Sequence, residues 1–274
     1  MERKRITQLM PWLLPLRKMQ RKLFFYTNMF FDSKDYSKTA ESSCLPYLLF
    51  ESKCEMYNKN TGCEMKYQEN KVYNLKLAAE KLDGLVIRSG ECFSFWQVLR
   101  YADKERPYKD ALAEIDGKLV AEYGGGLCMM SNLLFWLFLH SPMKVTERKG
   151  HGKKDFPEPP SDAVLGVDAT VAEGWIDLKA ENTTDYTFQI KIDFDDEHII
   201  GRIYSDRDTG LSYKILNKDL NYFERNGKIF EQCSIVRQTT DRGNKDVTEE
   251  LLYKNLCEIN YELPLGTEIK RGEQ

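Results

Sequence analysis

Residues 127–139, LCMMSNLLFWLFL, constrain the fold of this 274-residue chain more than any other stretch. Between Leu127 and Leu139 the only polar side chains besides Cys128 are Ser131 and Asn132. A helix that is apolar nearly all round has no face to give to water, so the spacing predicts a buried helix with the rest of the chain folded around it. Directly before it stand Gly124, Gly125 and Gly126, which let the backbone turn through positive φ and approach other groups closely. The chain thus uses its most flexible stretch to present one thiol at the start of its most apolar helix.

The flanking sequence predicts an α+β protein: a helical N-terminal half, with the buried helix after the Gly-rich turn, followed by a mostly antiparallel β-meander. Residues 33–70 are polar and read as short helices and loops. ENKVYNLKLAAEKLDG (69–84) places Val72, Leu75, Ala79 and Leu82 at helical spacing and stops at Asp83-Gly84. LVIRSGECFSF reads as strand material and WQVLRYA as a short helix. ALAEIDGKLVAEY reads as a hairpin turning at Asp116-Gly117. After a proline-rich loop, AVLGVDATV, WIDLKAEN, YTFQIKIDFD and HIIGRIYS read as successive strands. Beyond residue 210, SYKILN and GKIFEQCSIV look like strands and VTEELLYKNL like a helix. Three segments follow: 1–69, basic and helical or looped; 70–205, the central domain; and 206–274, a C-terminal α/β extension.

Charge and cysteine content narrow the function. With 40 basic against 43 acidic residues the net charge is −3, so no overall field draws the chain to nucleic acid. The seven cysteines are odd in number and irregularly spaced, with no CxxC pair, and the histidines lack zinc-finger spacing. No structural metal and no cofactor are expected. GGGLCMMS lacks the Lys-Ser/Thr pair of a nucleotide loop. Free thiols in this number suit a reducing compartment.

The basic start lacks the pattern of an export signal, and its apolar run is far short of the roughly 20 residues of a spanning helix. A cytoplasmic location is therefore expected, with docking on the inner membrane face as an option. That option rests on residues 15–31, where Leu16, Met19, Leu23, Tyr26 and Phe30 share a helical face and Arg17, Lys18, Arg21 and Lys22 lie off it. Such a helix suits an anionic membrane surface, and equally suits packing on its own domain.

The chemistry centres on Cys128. A thiolate is an anion, and helix N-termini or cationic neighbours lower a cysteine pKa from about 8.5 to about 3.5–7.5. Amides of the turn Gly124, Gly125, Gly126 and Leu127 are candidates for holding that charge, or the oxyanion of an acyl intermediate. Ser131 and Asn132 fall on the same face of the first turn, and Ser131 is a further candidate catalytic residue. A nucleophilic cysteine needs a base. His140 lies about 18 Å along the helix at ~1.5 Å per residue, which excludes it. His151, between Gly150 and Gly152, is placed to fold back. Asp168 in VDATV or Asp177 in WIDLK is the candidate orienting carboxylate. The competing reading is a cysteine buried for packing alone, beside a tight turn.

GECFSFWQVL, DGKLVAEYGGGLCMMSNLLFW, VTERKGHG and VLGVDATV, in this order and spacing, resemble the VanW family over roughly residues 70–205. Where that family usually carries Gln-Val-Ser-Ser after the cysteine, this chain has Met129-Met130-Ser131-Asn132. The resemblance implies a cell-wall-related role, accessory to glycopeptide (vancomycin) resistance. It implies an L,D-transpeptidase-like acyl transfer on peptidoglycan stem peptides or lipid-linked precursors, with Cys128 taking the acyl group and His151 as its base. The alternative is a non-enzymatic scaffold or precursor-binding protein at the membrane surface.

Overall fold

A computed structural model of the chain describes residues 10–115 and 118–271. Among these lie four α-helices: α1 (Leu14–Phe31), α2 (Lys66–Leu82), α3 (Phe95–Leu99) and α4 (Cys128–Leu139). The strands are mostly antiparallel, so the class is α+β. One sheet runs Asp35–Tyr36, Glu91–Ser94, Lys179–Glu181, Lys144–Glu147 in spatial order. A second runs Tyr47–Glu55, His198–Ser205, Phe188–Phe194, Val86–Ile87. A third contains the long strands Leu211–Arg225, Lys228–Asp241 and Val247–Ile259, edged by Ile269–Arg271 and Lys153–Lys154.

Helix α4 is the centre of the core. Leu134, Leu137 and Phe138 are sealed from solvent, and the helix packs on the strands Tyr47–Glu55 and His198–Ser205. Burying side chains of this size stabilises the fold by roughly 1.5–3 kcal/mol each. The same apolar cluster takes in Met56, Ile215 and Ile235, so segments before residue 70 and after 205 share the core of the middle one.

Several local expectations hold. Helix α2 buries Val72, Leu75, Ala79 and Leu82, and ends at Asp83. Helix α3 starts at Ser94, whose hydroxyl accepts the Gln97 N–H at 3.1 Å. Strands Asp110–Ile115 and Lys118–Tyr123 pair as a hairpin, while the turn at residues 116–117 lies outside the described residues.

Others fail where distant partners decide. The polar stretch 33–70 contains a nine-residue strand, Tyr47–Glu55, recruited by antiparallel pairing with His198–Ser205. VTEELLYKNL is strand, not helix: Asn255, Cys257 and Ile259 alternate inward, and pairing with Lys228–Asp241 overrides a local helix pattern. AVLGVDATV forms no strand; it is an irregular segment pinned by α4 side chains. Lys179–Glu181 pairs with Glu91–Ser94 and Lys144–Glu147 rather than with the next strand, which breaks the expected meander.

Candidate active site

The Gly-rich turn fixes where α4 begins. Gly124 and Gly126 take φ of 71° and 84°, the left-handed region that favours glycine. At Gly125 a Cβ would stand 2.1 Å from the Ala111 carbonyl oxygen, so the turn lies directly on the hairpin strand. From α2, the Asn74 amide donates to the carbonyls of Gly125 (3.0 Å) and Lys109 (2.9 Å). Cys128 is thereby the first residue of α4, half-buried rather than sealed, and it lines two clefts.

The polar face of the first turn of α4 grips residues 169–171. The Ser131 hydroxyl donates to the Ala169 carbonyl at 2.6 Å, and Asn132 Oδ1 accepts the Ala169 N–H at 2.7 Å. Cys128 Sγ lies 3.5 Å from Thr170 Oγ1 and 3.9 Å from the Val171 carbonyl oxygen. Across the segment, the Thr170 N–H donates to the Lys149 carbonyl at 2.7 Å. Because 169–171 is held between α4 and residue 149, Asp168 is delivered to His151.

Asp168 is 2% exposed and fully engaged. Its Oδ2 accepts the His151 backbone N–H at 2.8 Å and stands 2.6 Å from His151 Nδ1. Its Oδ1 accepts from Arg148 Nη2 at 2.6 Å, while Arg148 Nε donates to the Asp168 carbonyl at 2.6 Å. With Nδ1 committed, the other ring nitrogen is left for the sulfur: His151 and Cys128 line the same cavity, and each acts on the titration of the other.

Electrostatics follow from this alignment. Burial alone would raise the Cys128 thiol; hydrogen bonding and charge from His151, with Val171 and the Thr170 hydroxyl, outweigh it and hold the thiol below its ordinary value. Burial would likewise lower His151, but Asp168 and Cys128 hold its imidazole well above the ordinary value. Asp168 is pushed up by burial yet kept below the usual carboxylate range by His151 and Arg148. All three shifts act toward the charged forms: thiolate at Cys128, imidazolium at His151 and carboxylate at Asp168.

Cys128, His151 and Asp168 therefore come together, whereas other expected residues do not take the places assigned to them. Ser131 gives its one hydroxyl proton to the Ala169 carbonyl at 2.6 Å, with the Cys128 carbonyl a longer contact at 3.1 Å, so it ties the helix to the 169 segment rather than presenting a free hydroxyl to the sulfur. The helix mouth contributes less than expected. Gly124 and Gly125 amides donate to Lys109 and Glu122 carbonyls at 3.2 and 3.0 Å, and Met129 and Met130 donate to Gly126 and Leu127 carbonyls at 3.2 and 3.0 Å. Two of the four turn amides, Gly124 and Gly125, are thus spent within the fold, and His151 is the chief influence that lowers the Cys128 thiol.

Asp177 lies apart, its carboxylate accepting from the Ser94 hydroxyl (2.6 Å) and the Trp96 N–H (3.1 Å). His140 is buried against Phe50, ring centroids 3.7 Å apart, and serves packing. Arg148, Thr170 and Lys71 were not singled out from sequence. The first two stand beside His151 and Asp168 in the chain, and that adjacency was the one available signal.

On one side of Cys128 a cavity of ≈ 230 Å³ is lined by Lys71, Asn132, Trp136, His151 and Phe156, among others. On the other, a cleft of ≈ 1050 Å³ runs along α1. Here the expected orientation of α1 is corrected. Lys18 pairs with Glu122 at 2.7 Å, Lys22 pairs with Glu173, Arg21 lies over the Trp175 ring and Arg17 donates to Gln20. The cations at 18, 21 and 22 thus turn toward the domain's own partners, while Leu16, Met19, Leu23 and Phe30 stay exposed. The partners Glu122 and Glu173 lie far along the chain and are invisible to a local periodicity. Among the described residues no helix is long and apolar enough to cross a membrane.

Residues 70–204 match the family model described as VanW like protein. The vancomycin B-type resistance protein VanW of Enterococcus faecalis is 51% identical over 275 residues, covering 100% of both chains. The uncharacterized protein YoaR of Bacillus subtilis is 31% identical over 114 residues, 42% of this chain and 36% of that protein. No solved structure matches the chain significantly.

Proposed function

This chain belongs to the VanW family, and we propose on that footing that it is a cysteine-dependent acyl-transfer enzyme accessory to glycopeptide resistance. Its substrates are peptidoglycan stem peptides or their lipid-linked precursors. The observation that carries the reading is the Cys128–His151–Asp168 grouping, with Cys128 in the lining of two clefts.

In this mechanism the Cys128 thiolate attacks a peptide carbonyl carbon and a C–S bond forms. The His151 imidazolium gives its proton to the departing amine, and the C–N bond breaks to leave a thioester. The Cys128 backbone N–H, at the start of α4, is the donor for the transient oxyanion. An acceptor amine then attacks the thioester, His151 takes its proton, and the thiolate leaves. Asp168 holds the ring in place and stabilises its charged form throughout. Two clefts that share Cys128 in their lining suit separate places for a donor and an acceptor.

The test is mass spectrometry of the intact protein after incubation with stem peptides, alongside a susceptibility assay. An acyl adduct mapped to Cys128, and loss of resistance with Cys128→Ser, support the reading. No adduct and full resistance in Cys128→Ser overturn it.

A second reading, a scaffold at the inner membrane surface, is favoured by one observation. Leu16, Met19, Leu23 and Phe30 are 54%, 65%, 66% and 81% exposed along α1. In that reading the apolar stripe, rather than the cations, enters the bilayer interface. Resistance that survives Cys128→Ser but not polar substitution of the stripe would select it.

A further inference from the structure

The cavity on the α2 side of Cys128 contains a cation that the acyl-transfer steps do not use. Lys71 is only 9% exposed, and its Nζ donates to Gln68 Oε1 at 2.7 Å. Among the described residues no carboxylate pairs with it, and Cys54 is the one titratable group that acts on it. The other lysines of the cavity are matched: Lys154 with Glu158 (3.0 Å) and Glu231 (3.4 Å), Lys153 with Asp155 (2.7 Å). Gln68 is itself engaged, accepting the Asn58 N–H at 3.1 Å, so its amide oxygen is fixed in place.

Position ties this lysine to the nucleophile. A Cβ on Gly126 would stand 2.3 Å from Lys71 Cγ, so the lysine stem lies against the turn two residues before Cys128. The missing side chain at 126 is what makes room for it. Lys71, Cys128 and His151 line the same ≈ 230 Å³ cavity, a space sized for a short peptide end rather than a long chain. Burial pulls the Lys71 amine down to about 8, the mark of an ammonium held away from water without a counter-ion. Such a group gains most from an incoming anion, because a charge-assisted hydrogen bond in a water-poor site is stronger than one in solvent.

We propose that the Lys71 ammonium receives the free C-terminal carboxylate of the peptide that Cys128 attacks, selecting donors that end shortly beyond the scissile bond. The proposal rests on the acyl-transfer reading and adds to it a specificity-determining residue: Lys71 holds the acid of the leaving residue while that residue's amine takes the proton from His151.

The test is calorimetric titration of the full-length Cys128→Ser protein, which cannot turn over, with N-acetyl-L-lysyl-D-alanine and with its C-terminal amide. The acid should bind at least about tenfold more tightly than the amide, the scale of one charge-assisted contact. Lys71→Met, which keeps the stem against Gly126 and removes the charge, should erase that preference while the melting temperature does not fall. Equal binding of acid and amide, binding of neither, or a preference that survives Lys71→Met overturns the proposal. Selective binding of the acid by a protein whose wild-type form yields no Cys128 adduct would keep this carboxylate site and remove acyl transfer.

Discussion

His151 is attached twice to a single oxygen of Asp168: its ring Nδ1 stands 2.6 Å from Oδ2 and its backbone N–H donates to the same atom at 2.8 Å. The ring cannot swing away from Cys128 without giving up a charged hydrogen bond, and the backbone bond fixes where the swing would start. Arg148 holds the other oxygen, so the carboxylate itself cannot rotate to follow. A histidine positioned this way carries its proton next to the sulfur.

The charge state gives a labelling prediction. Cys128 is held below its ordinary thiol value, whereas burial pushes Cys54, Cys92, Cys233 and Cys257 up to about 12, 12, 11 and 12. Iodoacetamide at pH 7 should therefore modify Cys128 ahead of the exposed Cys44 and Cys63, as read by peptide mass spectrometry. His151→Gln should move the labelling profile of Cys128 to higher pH. Equal rates at residues 44, 63 and 128 would remove the activated thiol.

Asp168 should show a stability effect confined to a pH window. Its folded pKa is depressed, so its contribution is present above the ordinary 3.8 and lost as pH falls through the folded value. His151 is raised, so its contribution is present below 6.5 and lost as pH rises through its folded value. Asp168→Asn should cost about 3 kcal/mol between those limits, because Arg148 is left with a buried unpaired charge, and less on either side. Urea unfolding at pH 3, 5.5 and 9 checks this. The same variant should slow acyl transfer by ~10²–10⁴-fold.

Asp177 behaves in the opposite sense. Burial raises it to about 6 despite the hydrogen bonds from Ser94 and Trp96, so ionisation above that pH works against folding. Asp177→Asn should leave Cys128 labelling unchanged. A shift as large as that in Asp168→Asn would show that the wrong carboxylate has been assigned.

Ser131→Ala should separate a tie from a catalyst. Losing the bonds to the Ala169 and Cys128 carbonyls should cost about 1–3 kcal/mol in thermal or urea unfolding. Acyl transfer measured on the folded fraction should fall by less than about tenfold, well short of the loss for a group in direct proton transfer. A loss near that of Cys128→Ser would return Ser131 to the reacting groups.

The α1 stripe predicts membrane behaviour. Wild-type protein should co-sediment with vesicles containing anionic lipid, and the double variant Leu23→Ser, Phe30→Ser should not, because its apolar insertion is gone. Lys18→Gln should weaken binding less, since that side chain already faces Glu122. The reverse order of effects would restore the cations as the docking face.

Sequence alone determined the local features: the Gly-rich turn, the all-apolar α4 with Cys128 at its start, the α2 periodicity and its stop at Asp83, and the pairing of 110–115 with 118–123. These follow from backbone sterics and from which faces of one short segment avoid water, information carried by neighbouring residues. Only tertiary structure decided that Tyr47–Glu55 and Val247–Ile259 are strands, that Asp168 and not Asp177 meets His151, and that Ser131 is a tie. Each depends on a partner far along the chain, such as Asn132 gripping Ala169 across 37 positions or His198–Ser205 recruiting residues 47–55. A pairing of that kind is stabilised by burial and hydrogen bonds that exist only once both segments have arrived, so no single stretch of sequence carries its mark.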